Sequence, residues 1–98
     1  MIAIKIEPGK GPVSVDIENS LESLQKQVGG YIEVMHFAHD VALICDEEGK
    51  LKGKPYNFGF CGEVFVGTVL IVGVDGEEFC SLTANAEKFL LREFGRMG

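Results

Sequence analysis

The sequence predicts an α+β fold in which a mainly antiparallel sheet carries two helices packed on one face. Three observations predict it: apolar residues alternate with polar ones over short segments, hairpin signals separate most of these segments, and two stretches with helical spacing follow a capping residue. A length of 98 residues suits a single domain over residues 1–98 with one hydrophobic core.

Two strands are predicted near the amino terminus, over residues 2–6 and 13–17, because isoleucine or valine recurs at every second position. The Pro-Gly-Lys-Gly-Pro segment between them is typical of a hairpin connection. Two further strands are predicted over residues 31–37 and 41–45, which are rich in β-branched and aromatic residues. Residues 46–49, three acidic residues followed by a glycine, then predict a turn.

The second half of the chain is predicted to contain a loop, a central strand and a hairpin. Residues 53–62 have no clear period and are rich in glycine, which makes them the predicted functional loop. Residues 64–74 are almost continuously apolar, as in a strand near the centre of a sheet. Asp75 and Gly76 fit a two-residue hairpin turn after that strand.

Helices are predicted over residues 20–28 and 85–94. Asn19 is followed three residues later by a glutamate, which is the spacing of a capping box, and a glycine pair ends the first helix. Thr83 is the predicted cap of the second helix, whose apolar residues recur at helical spacing.

The charge balance is acidic, because nine lysine and arginine residues against fifteen aspartate and glutamate residues give a net charge of −6. A chain of this charge repels nucleic acid and anionic membranes, so we expect neither as a partner. The longest apolar run is too short for a bilayer helix, and the first residues lack the pattern of a secretion signal. These features predict a cytoplasmic protein.

Small size and cysteine usage bear on how the domain is stabilised. Cys45, Cys61 and Cys80 are odd in number and form no Cys-x-x-Cys pair, so we expect three free thiols. A domain of this length buries a small core, and no disulfide framework supplements it. Oligomerisation is one way in which such small domains gain stability, and we therefore expect a homo-oligomer.

No catalytic or metal-binding residue is predicted. Cys45 with His36 or His39 is the one local pairing of a nucleophile with a base, but Cys45 lies in an apolar strand, where a thiol packs as a small hydrophobe. The histidines with Cys45 and Cys61 lack the spacing of a recurrent zinc site. No glycine-rich phosphate motif precedes a helix. We expect a protein that is not an enzyme and has no cofactor.

The predicted ligand site centres on a lysine-rich segment. Lys50, Lys52 and Lys54 alternate, so in an extended strand their side chains would lie on one side and form a cationic strip. Tyr56 and Asn57 follow and add polar groups suited to a ligand. The strip suits phosphate groups; alternatively, it is a solvated sheet edge that the lysines protect from aggregation.

Two further pairs of residues are candidates for ligand binding. Lys88, Arg92 and Arg96 lie four residues apart on the last helix and form a basic stripe. This stripe, with Lys88 and Arg92 as the candidate ligand contacts, is either an anion or partner site or a solvated face that suits the helix dipole. Tyr31 and Glu33 share a strand face with apolar residues. Glu33 therefore needs a buried partner or an open rim, and a ligand-facing tyrosine and glutamate are the functional alternative.

Three segments have a recognisable pattern: VGGYIEV at 28–34, VALICDEEGK at 41–50 and GTVLIVG at 67–73. In this pattern the chain resembles a family of short proteins of unknown function, the domain of unknown function 3846 type, which is common in phages, plasmids and related bacterial genomes. The family usually has an asparagine at the position of Asp46. The resemblance extends over almost the whole chain and implies a mobile-element context, but no established activity.

Two classes of function fit these observations. The favoured one is a small non-catalytic phage or mobile-element protein that sequesters an anionic, nucleotide-type immune signal and so evades host defence, with pockets built at oligomer interfaces. The alternative is an acidic inhibitor that binds a host protein by imitating the charge of nucleic acid. A basic concavity would favour the first function, and a continuous acidic face would favour the second.

Overall fold

The computed structural model describes residues 1–96. Within this range the chain forms one six-stranded antiparallel sheet, a separate two-stranded hairpin and two helices. None of these helices is long and apolar enough to cross a membrane. The elements follow one another in this order: β1 (Ile2–Ile6), β2 (Val13–Asp16), α1 (Leu21–Val28), β3 (Ile32–Ala38), β4 (Val41–Asp46), β5 (Tyr56–Phe60), β6 (Glu63–Val66), β7 (Val69–Asp75), β8 (Glu78–Cys80) and α2 (Ala84–Gly95).

The large sheet has the strand order β2-β1-β7-β4-β3, and β8 also pairs with β7. Ile71 in the middle of β7 lies opposite Ile4 of β1 and Leu43 of β4, which confirms this apolar segment as the central strand. The predicted strand 64–74 is nevertheless wrong at its start. Gly67 adopts a φ of 70° and interrupts the predicted strand. The residues before it form β6, which pairs with β5 in the separate hairpin.

The α+β class and the mainly antiparallel sheet are confirmed, but the prediction that both helices pack on one face is wrong. Ile44 of β4 belongs to one core cluster with Leu24 of α1, whereas the preceding Leu43 belongs to a second cluster with Phe94 of α2. Consecutive residues of a strand point to opposite faces, so one helix covers each side of the sheet. The reason is that β4 and β7 are apolar on both faces, and each face needs a cover.

The β5–β6 hairpin covers the α2 face, which is the side of the sheet on which α2 packs. The rings of Phe58 and Phe65 stack with centroids 5.1 Å apart, and Phe58 meets Phe94 of α2 edge-on at 5.2 Å. The prediction that residues 53–62 form an irregular loop is therefore wrong. Phe58 and Phe60 lie at alternate positions, which favours a strand because both rings can then reach the core from one side.

Side chains of short polar residues begin both helices. The Ser20 hydroxyl accepts a hydrogen bond from the Ser23 N–H at 3.1 Å, so Ser20 is the cap of α1 and the prediction of Asn19 is wrong. The Asn19 amide donates instead to the Phe79 carbonyl at 2.8 Å. Thr83 is confirmed as the cap of α2, because its hydroxyl accepts from the Ala86 N–H at 3.1 Å.

Candidate functional site

Asp46, the last residue of β4, lies at the centre of a group of charges on the α1 face, the side of the sheet on which α1 packs. Its side chain is 1% exposed. The ammonium groups of Lys52 and Lys54 lie 2.8 and 2.7 Å from its Oδ2 atom, and the Glu48 N–H donates to its Oδ1 atom at 2.9 Å. Asp46, Lys52 and Lys54 are called the Asp46 cluster below. The cluster satisfies a buried carboxylate inside the chain.

The same two lysines bind the carboxyl end of α1. Lys54 Nζ donates to the Val28 carbonyl at 2.7 Å, and Lys52 Nζ donates to the Gly29 carbonyl at 3.2 Å. The last carbonyls of a helix lack partners within the helix, and a cation is favoured there by the helix dipole. The Asp46 cluster therefore fastens the segment that follows β4 to the end of α1.

The protonation of the cluster follows from these contacts. Burial alone would raise the pKa of Asp46, but hydrogen bonds from Lys52, Lys54 and the Glu48 N–H outweigh burial and hold this pKa well below its usual range. The hydrogen bond to Asp46 raises the pKa of Lys52. Both partners are therefore ionised at neutral pH.

The prediction that Lys50, Lys52 and Lys54 form a strip on one side of an extended strand is wrong. Residues 47–53 form consecutive turns, and the Lys54 N–H donates to the Gly49 carbonyl at 3.0 Å. Lys52 and Lys54 turn towards Asp46 on the α1 face. The charge of Lys50 instead acts on the thiol of Cys45, which packs on the α2 face. The buried carboxylate of Asp46 thus holds Lys52 and Lys54 on one face of the sheet, away from Lys50.

Glycines make room for the Asp46 cluster. A Cβ atom on Gly30 would lie 2.6 Å from Asp46 Oδ1 and 2.7 Å from Lys52 Nζ, and one on Gly67 would lie 2.8 Å from Lys54 Cδ. Gly30, Asp46 and Gly67 come from the three segments that have the recognisable sequence pattern. That pattern therefore includes the central carboxylate of the cluster and the two glycines that let the backbone lie close to the cluster.

The other predicted site residues lie in different parts of the surface. The Asn57 amide donates to the carbonyls of Ile6 and Gly67 at 2.9 and 2.8 Å, which joins β5 to the large sheet. The other six residues predicted to contact a ligand are all exposed. They are Tyr31, Glu33, Lys50, Tyr56, Lys88 and Arg92. As ligand-binding residues, all of these stay predictions.

An open cleft of about 380 Å³ lies where the end of β3, strand β5 and α2 meet. The rings of Phe37 and Phe60 have centroids 5.0 Å apart, and those of Phe60 and Phe94 are 5.4 Å apart. Phe37 and Phe89 are 38% and 50% exposed. We call it the aromatic cleft, and its lining residues are Phe37, Phe60, Phe89, Leu90, Glu93, Phe94 and Arg96.

The basic stripe of α2 runs beside the aromatic cleft. Arg92 and Arg96 follow Phe89 by three and seven residues, so all three lie along one side of the helix. The cleft was not predicted, because Phe89 is one of the apolar residues at helical spacing that were expected to form the core-facing stripe of this helix, with Ala86, Leu90 and Phe94. The spacing of Phe89 from Arg92 and Arg96 was the available signal that this ring lies on the charged side.

The three cysteines are free thiols, of which Cys61 is exposed and Cys45 and Cys80 are partly buried. Burial raises the pKa of the Cys45 thiol to about 11, with the carboxylates of Glu33 and Asp46 acting in the same direction. The three cysteines are not bonded to one another. Within residues 1–96, no three histidine, cysteine or acidic side chains come together in a way that could hold a metal ion.

Comparisons with known proteins address the family rather than the activity. No curated protein and no solved structure matches the chain. One family does match, over residues 1–95, and its description is Domain of unknown function (DUF3846). This match spans nearly the entire chain, and it confirms the resemblance seen in the sequence. The chain therefore belongs to the DUF3846 family.

Proposed function

We propose that this chain is a non-catalytic binding protein that holds a nucleotide-type ligand in the aromatic cleft. The observation that carries the proposal is a concave site lined by phenylalanine rings, two of which the chain leaves substantially exposed. The volume of about 380 Å³ lies in the range of small-molecule sites. In the mobile-element context that the resemblance implies, such a protein would sequester a nucleotide signal of host defence.

The rings supply the apolar part of recognition. Phe37, Phe60 and Phe89 line the cleft, and a nucleobase stacked on a phenylalanine ring gains roughly 1–3 kcal/mol. Stacking tolerates different bases, since every base has a π-face. Glu93 on the rim is an acceptor for the exocyclic amine of a base. The aromatic cleft therefore suits a planar ligand that carries hydrogen-bond donors.

The charges beside the cleft supply the anionic part of recognition. Arg96 lines the cleft, and Arg92 lies one turn before it on α2. A guanidinium binds a phosphate through two parallel hydrogen bonds, which gives orientation as well as energy. On a chain with a net charge of −6, this local pair of cations favours one anionic group placed at the end of α2.

The lysine segment supports binding less well than the aromatic cleft does. A phosphate that recruited Lys52 and Lys54 would have to compete with the buried carboxylate of Asp46. Leaving that carboxylate without its partners costs several kcal/mol. The proposal therefore moves the ligand from residues 50–57 to α2, and it keeps the predicted Arg92 as a contact. The acidic inhibitor stays a prediction that no contact in residues 1–96 favours.

Calorimetric titration with a panel of mononucleotides, cyclic mononucleotides and cyclic dinucleotides tests the proposal. We expect saturable binding of at least one of them, and recovery of that nucleotide unchanged after prolonged incubation. Phe89→Ala should weaken binding about tenfold or more, because it removes one stacking face. Arg96→Gln should weaken binding and reduce its dependence on salt.

Leu21→Ala is the matched control for Phe89→Ala. Leu21 is a similarly exposed apolar residue, at 58%, but it lies on α1 on the opposite face of the sheet. Its truncation should leave nucleotide affinity unchanged. Equal weakening by both variants, or no binding by any nucleotide, would reject the aromatic cleft as the site. Conversion of the bound nucleotide to a product would make the protein an enzyme.

A further inference from the structure

One edge of the large sheet is open along β3. Within residues 1–96, β3 pairs with β4 and with no other strand. The Tyr31 carbonyl accepts from the Glu47 N–H at 2.8 Å, in register with the β3–β4 ladder. Backbone groups of successive residues in an antiparallel ladder point to opposite sides. The N–H and C=O groups of Ile32, Val34 and His36 therefore point away from β4.

Strands β2 and β3, at the two ends of the order β2-β1-β7-β4-β3, differ in how they are protected. The β2 edge has four residues and directly follows Pro12, and short strands flanked by proline resist pairing with other chains. The β3 edge has seven residues with no lysine or proline, and a bulge interrupts it after His36. A long, flat and mostly apolar edge is a template for another strand. The β3 edge from Ile32 to His36 is therefore suited to pairing.

We propose that a second copy of this chain pairs with β3 in antiparallel orientation, about a two-fold axis at Val34, and that Tyr31 of the partner subunit closes the aromatic cleft. The closure of the cleft rests on the proposed function, whereas the pairing of the strands does not. Two identical antiparallel strands form an isologous contact, which closes after two subunits.

The free backbone groups select the register. With Val34 opposite Val34, Ile32 lies opposite His36, and all three residues with free backbone groups are paired. A centre at Glu33 would place two carboxylates opposite each other, which is destabilising. A centre at Met35 would place Ile32 opposite Ala38, which lies beyond the bulge that follows His36. The register at Val34 therefore uses the whole edge and avoids like charges.

This register brings two exposed aromatic residues together on the α2 face. Tyr31 is 69% exposed, and it would lie opposite Phe37 of the partner subunit. Phe37 contacts Phe60 and forms one wall of the aromatic cleft. Aromatic cross-strand pairs are favourable, and a tyrosine adds a hydroxyl that can bind a phosphate or sugar. Each subunit would therefore supply a missing wall to the cleft of the other.

Cysteine cross-linking tests the register in a background where exposed Cys61 is replaced by Ser. Val34→Cys should form a covalent dimer on mild oxidation, because paired residues have Cα atoms about 5.5 Å apart, which a disulfide can span. Tyr31→Cys alone should not, since six strand positions put the two copies about 20 Å apart. A mixture of Tyr31→Cys and Phe37→Cys proteins should form a mixed dimer. Monomeric Val34→Cys protein would overturn the proposal.

Sedimentation equilibrium of the unmodified chain gives an independent test. We expect twice the chain mass of 10.7 kDa at micromolar concentrations. Val34→Pro removes a free N–H at the axis and should give the monomer mass, with the circular dichroism spectrum of the folded chain. Ser14→Pro removes an equivalent free N–H from the β2 edge and should leave the dimer intact. If Val34→Pro protein fails to fold, the cross-linking pattern decides.

The dimer and the ligand can fail separately. A dimer with the predicted cross-links that binds no nucleotide would reject the proposed function and keep the β3 interface. A monomer that binds nucleotides in the aromatic cleft would reject the interface and keep the function. If both are present, Tyr31→Ala should weaken nucleotide binding several-fold while the sedimenting mass stays that of a dimer.

Discussion

The Asp46 cluster and the aromatic cleft lie on opposite faces of the same sheet, and they differ in how far the chain itself satisfies their groups. In the cluster, one buried carboxylate binds two ammonium groups, and both lysines also bind carbonyls of α1. In the cleft, the rings of Phe37 and Phe89 stay partly exposed to solvent. Lys52 and Lys54, which the sequence pattern singles out as ligand contacts, thus already bind groups of the chain itself.

The difference follows from the energetics of the two regions. A ligand at the Asp46 cluster must replace charge-assisted hydrogen bonds that already exist, whereas a ligand in the aromatic cleft removes apolar surface from water. Burying apolar surface gains about 25 cal/mol per Å² without breaking any internal bond. The Asp46 cluster therefore stabilises the fold, whereas in the aromatic cleft a bound ligand would gain free energy by burying exposed rings.

Asp46→Asn is expected to have the largest effect on the free energy of unfolding among the changes that test the Asp46 cluster. The change leaves two ammonium groups beside α1 without their counter-charge and should lower the free energy of unfolding by about 3 kcal/mol. Urea denaturation measures it. Glu47→Gln is the matched control, because Glu47 is a neighbouring exposed carboxylate, and it should change stability by less than about 0.5 kcal/mol. Equal stability of the two variants would mean that the cluster does not stabilise the fold.

A somewhat smaller effect is expected from Gly30→Ala. The new methyl group would lie 2.6 Å from Asp46 Oδ1, so the carboxylate or Lys52 must move, and the free energy of unfolding should fall by about 2 kcal/mol. Gly11→Ala should be neutral, since a Cβ atom there meets nothing within 4 Å. Thermal unfolding of both variants gives the comparison. A neutral Gly30→Ala variant would show that the cluster can move without cost.

Acid should weaken the Asp46 cluster by protonating its carboxylate. The pKa of Asp46 is lower in the folded chain than the ordinary value of about 4. The resulting stabilisation is present above that ordinary pKa and is lost as pH falls through the folded-state pKa. The difference in unfolding free energy between the wild-type chain and Asp46→Asn should therefore narrow from neutral pH to about pH 3. A constant difference would exclude ionisation of Asp46 as its source.

Much of the fold could be predicted from local patterns. Alternation placed β1 and β2, the apolar runs placed β4 and β7, and Thr83 marked the start of α2. The sequence also indicated that both faces of the sheet are covered, because β7 is apolar at every position before Asp75 and so has no polar face to leave uncovered. The prediction of two helices on one face overlooked that consequence.

The site depends on contacts between distant segments, and these could not be predicted. Lys54 and Val28 are 26 residues apart, and the bond between them exists because a turn after β4 folds back under α1. Alternation of Lys50, Lys52 and Lys54 has two interpretations, an extended strand or a turn, and the buried Asp46 decides between them through tertiary structure. The aromatic cleft likewise arises where β3, β5 and α2 meet, so no single segment contains its pattern.

The smallest effect on stability is expected from Phe89→Ala. Comparing it with Phe94→Ala distinguishes a ring in the aromatic cleft from a ring in the core. Phe89 is 50% exposed, so its truncation should change the free energy of unfolding by no more than about 0.5 kcal/mol. Phe94 lies five residues further along α2 and is 6% exposed, and its truncation should cost about 3–5 kcal/mol. Urea denaturation of both variants measures the ratio. If Phe89→Ala costs as much as Phe94→Ala, the Phe89 ring is part of the core in solution, and the aromatic cleft has no free wall on which a ligand could stack.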